Sequence, residues 1–540
     1  MRSNYPLRSM IVPFLLTCSL LSVSAPPVIP ASAAVAGGGW STSGPKILDP
    51  SGGEFIISGV NWFGFETRDA VAHGLWSKDY KFLINRTKEL GFNTMRIPYS
   101  DQMWRVNPIP NNDAGCPECK GKRARDILAL IINYAGSIGL HVILDHHRSN
   151  AGNSAQENGL WYLVSGSNNY PESVWIENWV SIQQWVHGIR QTYGAPDTIS
   201  VNYLASDGFP VAIGFDLHNE PHTPSRKAYL TGGTWGTGDG IDPNSNPNPN
   251  PFTPSCVAGS TCKDWRLAAE RCADTILGEA LSNGWDFPLI FVEGIGQYPR
   301  EGGNAASGPY DGTWWGGTLQ GVNGNSTNPG APIVLNAGGN ASSLGPPVTN
   351  KLVYSAHDYG PNLFQQSWFN ASTCYKSGCG PSSLADVWKK FWAHLNLAGG
   401  VNPVWTGHPS YPWGNTGHTA YSQAPIWLGE FGTENTATDL SSTIRGSQGQ
   451  WFTGMVNFIQ SSYNRTPGND PGLALTSLHW TYWALNANTV EAILAADWAT
   501  LENPAKVYTF LCPIQRAPMA LPPGSATGQC GSTGALPNPF

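Results

Sequence analysis

The sequence predicts an α/β fold, a (β/α)8 barrel of the TIM type with long loop insertions at one end. Three observations predict it. Short apolar runs of strand length occur eight times, amphipathic helical stretches lie between them, and titratable residues gather directly after the runs. In a parallel barrel the loops beyond the strand tips form an open pocket, so chemistry collects there.

The first run, FIISGVNWFGF (55–65), is followed by SKDYKFLINRTKELG, in which Tyr80, Leu83, Ile84, Thr87 and Leu90 share a helical face. Ser77 is the expected N-cap of that helix and Gly91 its stop. FNTMRIPYS (92–100) and LHVILDHH (140–147) supply the next two strands. The stretch VWIENWVSIQQWVHGIR then aligns Trp175, Trp179, Ile182, Val186 and Ile189 on one stripe. VAIGFDLHNE (211–220) is the fourth strand, and Pro221 prevents a helix from running through its polar end. DWRLAAERCADTILGEAL places Ala269, Cys272, Ile276 and Ala280 on one face, which makes Cys272 a buried, inert thiol. PLIFVEG (288–294), KLVYSAHDY (351–359), APIWLGEFG (424–432) and LTSLHWTYWALN (475–486) complete the eight.

The remaining length is loop. Residues 232–256, 303–350 and 394–423 are insertions rich in Gly, Asn, Pro or Trp, and 232–256 follows the fourth strand, too early for an interdomain linker. At the N-terminus Arg2 and Arg8 precede the apolar MIVPFLLTCSLLSV, and ASA at 31–33 offers a cleavage site, so 1–33 reads as a signal peptide of a secreted protein. That apolar run is shorter than the roughly 20 residues needed to cross a bilayer. Residues 34–501 are then the catalytic domain and 502–540 a stapled C-terminal tail. Eight cysteines fall into near neighbours, Cys116/Cys119, Cys256/Cys262, Cys374/Cys379 and Cys512/Cys530, as expected of small disulfide staples; CPEC at 116–119 lacks the second pair of a zinc site. A net charge of −7 without a long basic run excludes nucleic acid and an anionic membrane as partners. A monomer is expected.

The strand ends carry Asn61 and Trp62, Arg96, His146 and His147, Asn219 and Glu220, Glu293, His357 and Tyr359, Glu430, and Trp480 and Trp483. Glu220 and Glu430, on the fourth and seventh strands, would face each other across the barrel mouth. Two such carboxyl groups are what cleavage of a glycosidic bond requires, one protonated to release the leaving oxygen and one ionised to attack or to activate water. Arg96 and Tyr359 can keep one ionised, Asn219 can hold a sugar hydroxyl, and tryptophans offer flat faces to pyranose rings. Trp62, Trp175 and Trp179 read as core. A metal-dependent hydrolase would use the histidines of DHH, HNEPH and HDY, but Pro221 forbids a helical HExxH arrangement and no HxH pair stands on an early strand. No metal and no cofactor is expected.

The segments LHNEP, WLGEFG, HDY and NTMRIPYS resemble the signatures of glycoside hydrolase family five. GVNWFGFET, HGLWS, DWRLAAER, WWGGTLQG and YSAHDY are similar to its bacterial endoglucanase branch, and the similarity runs from about Gly38 to Trp498. The resemblance implies a barrel that hydrolyses internal β-1,4-glucosidic bonds of cellulose and related glucans with retention, or mannan or xyloglucan by the same mechanism. It implies Glu220 as acid/base and Glu430 as nucleophile. Arg96, His147, Asn219, His357, Tyr359 and Trp483 match the shell around the cleaved sugar, and Trp76 and Trp315 match stacking platforms further along the cleft. Where relatives place a disulfide cysteine after GFET, this chain has Arg68.

Overall fold

The structure, a computed structural model, describes residues 39–223, 232–236, 263–299, 310–323, 330–340, 343–369, 381–396, 424–434, 440, 444, 446–463, 477–517 and 519. Eight parallel strands close into a barrel: β1 (Ser58–Asn61), β2 (Thr94–Ser100), β3 (His141–Arg148), β4 (Ala212–Asp216), β5 (Leu289–Glu293), β6 (Leu352–His357), β7 (Ile426–Phe431) and β8 (His479–Tyr482). Each lies inside one of the eight expected runs except β3, which extends one residue beyond. Almost every strand residue is buried, because helices cover the outside and side chains fill the inside. Register shifts fall between Tyr99 and Ser100, between Ala356 and His357, and between Leu428 and Phe431, toward the C-terminal tips where the polar residues stand, and one falls between Val142 and Ile143 near the start of β3.

Among the described residues the outer layer includes α1 (Tyr80–Glu89), α2 (Ala124–Ser137), α3 (Glu172–Val186), α4 (Trp265–Asn283), α5 (Pro381–Phe391) and α6 (Gln448–Tyr463). Helix α1 buries Tyr80, Leu83, Ile84 and Thr87 as its periodicity requires, but its N-cap is Asp79, whose carboxylate accepts from the amide of Lys81, not Ser77. Gly91 ends it with a φ of +81°. In α3 the stripe holds through Val186; Ile189 lies past the helix end and is exposed. Cys272 in α4 is a free, buried thiol.

The expected boundary at 501 cuts through the barrel's shell. Residues Lys506–Leu511 form a π-helical turn continued by Cys512–Ile514, and Val507, Leu511 and Ile514 are buried in the main core. Phe510 packs on Phe452 of α6, while Gln515 donates to the carbonyl at the end of α1. This segment occupies the eighth helical position. Its wide turns and Pro513 erase the 3.6-residue periodicity by which the other helices are recognised.

The opposite end of the barrel is plugged. A hairpin of Ser41–Ser43 with Lys46–Leu48 brings Trp40 and Ile47 against Ile57, Ile143, Ile213, Leu289, Phe291, Val353 and Trp427. Trp40 also donates to the carbonyl of Pro210, just before β4. The plug fills this end of the barrel with apolar side chains. Of the insertions, the described parts of 303–350 form small hairpins, while most of 232–256 and 394–423 lies outside the described residues. Cys116 is bonded to Cys119, and Cys512 is disulfide-bonded; Cys256, Cys262, Cys374, Cys379, Cys530 and residues 1–33 lie outside the described residues.

Candidate active site

Arg96 organises the barrel mouth. In β2 its guanidinium points inward and is fully buried, which is tolerable only where its five N–H donors find acceptors. Nε donates to Asp216 at 2.9 Å, Nη1 to Asn61 at 3.0 Å and to Glu430 at 2.7 Å, and Nη2 to the Asn219 side-chain oxygen at 2.9 Å. Asp145 and Glu293 lie 3.1 and 3.4 Å from Nη2. Because Asn219 spends its oxygen on Arg96, its amide nitrogen is left for the cavity it lines.

A second cation stands between the acids. His357 Nδ1 is 3.0 Å from Glu220 Oε1, and Nε2 is 3.1 Å from Glu293 Oε1. Burial disfavours its charge, but the surrounding carboxylates and hydrogen bonds overcome this and raise its pKa well above the usual value. Arg96 and His357 thus face five carboxyl groups, Asp145, Asp216, Glu220, Glu293 and Glu430. Two cations in a dry site cannot keep five carboxylates ionised.

The proton distribution among the five is uneven. Burial pushes Asp145, Asp216, Glu220 and Glu293 up to about 7. Glu430 goes the other way: burial opposes its charge, yet His357, Arg96 and the hydroxyl of Tyr359, which donates to Oε2 at 2.8 Å, hold it below the ordinary carboxylate value. One oxygen of Glu220 and one of Glu430 lie within 4.8 Å of each other. The site therefore presents a protonated carboxyl and a carboxylate at close range, able to give a proton and to attack from either side of one bond.

The backbone of Glu220 is also held. Its φ is +52°, in the left-handed region that residues other than glycine seldom adopt. Its amide donates to Glu293 Oε2 at 2.8 Å, and its carbonyl lies 2.7 Å from His222 Nδ1. His147 Nδ1 is 2.7 Å from Asp145, which leaves Nε2 for the cavity, and burial keeps this histidine neutral.

The cavity above these groups is about 960 Å³ and is lined by Asn219, Glu220, Tyr359 and Glu430 with aromatic and polar walls. Trp483 lies parallel to Phe63 and to His147, at 5.3 and 5.8 Å between ring centroids. Trp315, 46% exposed, rests on His222 at 3.8 Å. Glu220, His357 and Glu430 have the composition of a metal triad. A cation would have to displace Arg96 and Tyr359 from Glu430 and His357 Nδ1 from Glu220, so this donor set is already satisfied by the protein's own donors.

The family model described as Cellulase (glycosyl hydrolase family 5) matches residues 48–489. The chain belongs to glycosyl hydrolase family 5. It is 30% identical over 480 residues to an endoglucanase of Paenibacillus polymyxa, covering 88% of this chain and 87% of that protein. Endoglucanase G of Acetivibrio thermocellus is 27% identical over 508 residues, covering 87% and 70%. Among solved structures, the catalytic domain of the major endoglucanase from Xanthomonas campestris superposes with a TM-score of 0.57 at 26% identity, covering 88% of this chain and 99% of that one.

Of the ten site residues expected from the family 5 resemblance, nine stand around the cavity or its carboxyl cluster: Glu220, Glu430, Arg96, His147, Asn219, His357, Tyr359, Trp483 and Trp315. Trp76 does not line the cavity; its half-buried indole packs edge-on against Trp498 and beside His73. His146 points to the outer layer, to Asp101 and His218, and Trp480 is not at a strand tip as expected but near the start of β8, pointing to Tyr463. Asp145 and Asp216 carry no expected role, yet both meet Arg96. For Asp145 the signal was present: it sits two residues before His147 in one strand, hence on the same face. Glu66, a cavity-lining carboxyl pushed up to about 8 by burial, left no comparable trace in the sequence.

Proposed function

We propose that this family 5 enzyme is a secreted endo-β-1,4-glucanase that cleaves cellulose and related glucans with retention, with Glu430 as nucleophile and Glu220 as acid/base. The observation that carries the mechanism is two carboxyl groups within 4.8 Å held in different surroundings, Glu430 by Arg96 and Tyr359 and Glu220 by His357. That closeness suits direct attack, since an inverting pair needs a wider gap, about 6.5–9.5 Å, to hold a water. Glu430 attacks the anomeric carbon while Glu220 passes its proton to the departing oxygen, forming a glycosyl ester on Glu430. Glu220, now a carboxylate stabilised by His357, takes a proton from water, whose oxygen displaces Glu430 and restores the original configuration. Asn219 and His147 are placed to hold sugar hydroxyls, and Trp483 and Trp315 to take pyranose faces.

The endoglucanase names of the relatives support the glucan substrate, and a cavity of about 960 Å³ lined by Trp314, Trp315 and Trp483 suits binding of several sugar units. Secretion is supported by the N-terminal pattern and by a Xanthomonas campestris relative named major extracellular endoglucanase, 26% identical over 462 residues. A slow 2-fluoro-cellobioside should label the peptide WLGEFG, and NMR should show the β-anomer first. Labelling elsewhere, or the α-anomer first, overturns the assignment. Hydrolysis of carboxymethylcellulose should exceed that of glucomannan and xyloglucan, and the exported protein should begin near Ala34.

A further inference from the structure

Two side chains, Glu293 and His222, tie the backbone of Glu220. His222 is buried, with Nδ1 2.7 Å from the carbonyl oxygen of Glu220. A carbonyl only accepts, so the imidazole carries a proton on Nδ1 in that bond. Burial pushes its pKa down to about 4, so the ring is neutral over the range in which the carboxyl pair works. The same ring lies flat beneath the indole of Trp315, with centroids 3.8 Å apart and planes 7° apart. Trp315 lines the cavity; His222 does not.

The surroundings make this stack rigid. The amide of His222 donates to Gly159 and its carbonyl accepts from Gly233. Gly316, next to Trp315, has a φ of +68°, and a Cβ there would lie 2.3 Å from Glu293 Oε2, so the loop carrying the indole is pressed against the carboxylate that holds the Glu220 amide. A sugar on the open face of Trp315 would thus be joined through indole and imidazole to the backbone of Glu220.

We propose that His222 is a positioning residue that couples stacking of the leaving-group sugar on Trp315 to the alignment of Glu220. This rests on the reading of Glu220 as the acid. The acid must reach the leaving oxygen, so the leaving sugar lies on its side of the cleaved bond, and Trp315 is the cavity-lining aromatic bound to that turn. No bond is made or broken at His222. Its hydrogen bond maintains a left-handed conformation that an L residue rarely adopts unaided, and its ring supports the platform.

The test compares the full-length enzyme with H222F and H222N on cellohexaose and on 2,4-dinitrophenyl cellobioside, whose leaving group departs without a proton. H222F keeps a flat ring under Trp315 but lacks the donor. Its kcat on cellohexaose should fall roughly tenfold with KM nearly unchanged, as expected for loss of alignment rather than of binding. The burst of dinitrophenolate, which reports the first step alone, should keep its rate. H222N places an amide nitrogen where Nδ1 stood, and should recover most of the lost kcat while KM rises for want of the supporting ring. Equal losses on both substrates, an unchanged kcat for H222F on cellohexaose, or no recovery in H222N overturns the proposal. A wild-type enzyme inactive on both substrates would instead sink the glucanase reading.

Discussion

Tyr359→Phe tests the electrostatics of the site at one atom. The variant removes a hydroxyl that donates to Glu430 Oε2 at 2.8 Å and leaves the ring in place. A hydrogen bond to a buried charge contributes about 1.5–3 kcal/mol. One pKa unit corresponds to about 1.4 kcal/mol, so the carboxylate should lose about 1–2 units of its depression. Glu430 works ionised, so activity rises with pH through its pKa, and raising that pKa moves the acidic limb of kcat/KM to higher pH. The assay is a kcat/KM profile on a soluble cello-oligosaccharide, which reports the free enzyme. Arg96 remains 2.7 Å from the other oxygen, so activity on the plateau should survive in part. An acidic limb that does not move would show that Tyr359 does not set the charge of Glu430, and the argument for opposite protonation states would fail with it.

Glu220 is pushed up to about 7 and works protonated, so wild-type kcat/KM should fall as pH rises through about 7. Glu220→Gln should abolish that limb and cut hydrolysis of unactivated glucan by roughly 10²–10⁴-fold, with a smaller loss in the first step on activated glycosides. Trp315→Ala should raise KM for long cello-oligosaccharides, consistent with an aromatic contact of about 0.5–1.5 kcal/mol beyond its area. Trp76→Ala should lower Tm and leave KM unchanged, because its indole packs on Trp498 outside the cavity lining; a raised KM would return it to the substrate. Lys506, fully buried, donates to the carbonyls of Thr433, Glu491 and Ala492. Lys506→Met should lower stability measurably in thermal unfolding, since each buried polar group left unpaired costs about 1–3 kcal/mol.

The eight strands were legible in the sequence because a parallel strand buried on both sides must be apolar along its length, and a helix against it must be apolar on one stripe. Those are local patterns. The two glutamates were legible as a pair, because NEP and GEFG place one just beyond β4 and one in β7 and both motifs resemble family 5 signatures; either alone reads as readily as an ion-pair partner. Other features depended on neighbours far along the chain. Arg96 meets Glu430 across 334 residues and Asp216 across 120, and nothing within β2 says which acids it will meet. Trp76 and Trp315 are equivalent as letters, yet one packs on Trp498 and the other opens onto the cavity. The eighth helical segment was read as tail because its π-helical turns bury Val507 and Leu511 without the usual period. The protonation of Glu220 and Glu430 was least legible of all. Glu430 is buried and the Glu220 side chain is 16% exposed, and they part because His357, Arg96 and Tyr359 together hold Glu430 ionised, while Arg96 and Tyr359 make no hydrogen bond to Glu220. A pKa sums every charge and hydrogen bond within reach in a dry site, and barrel closure decides which groups are within reach.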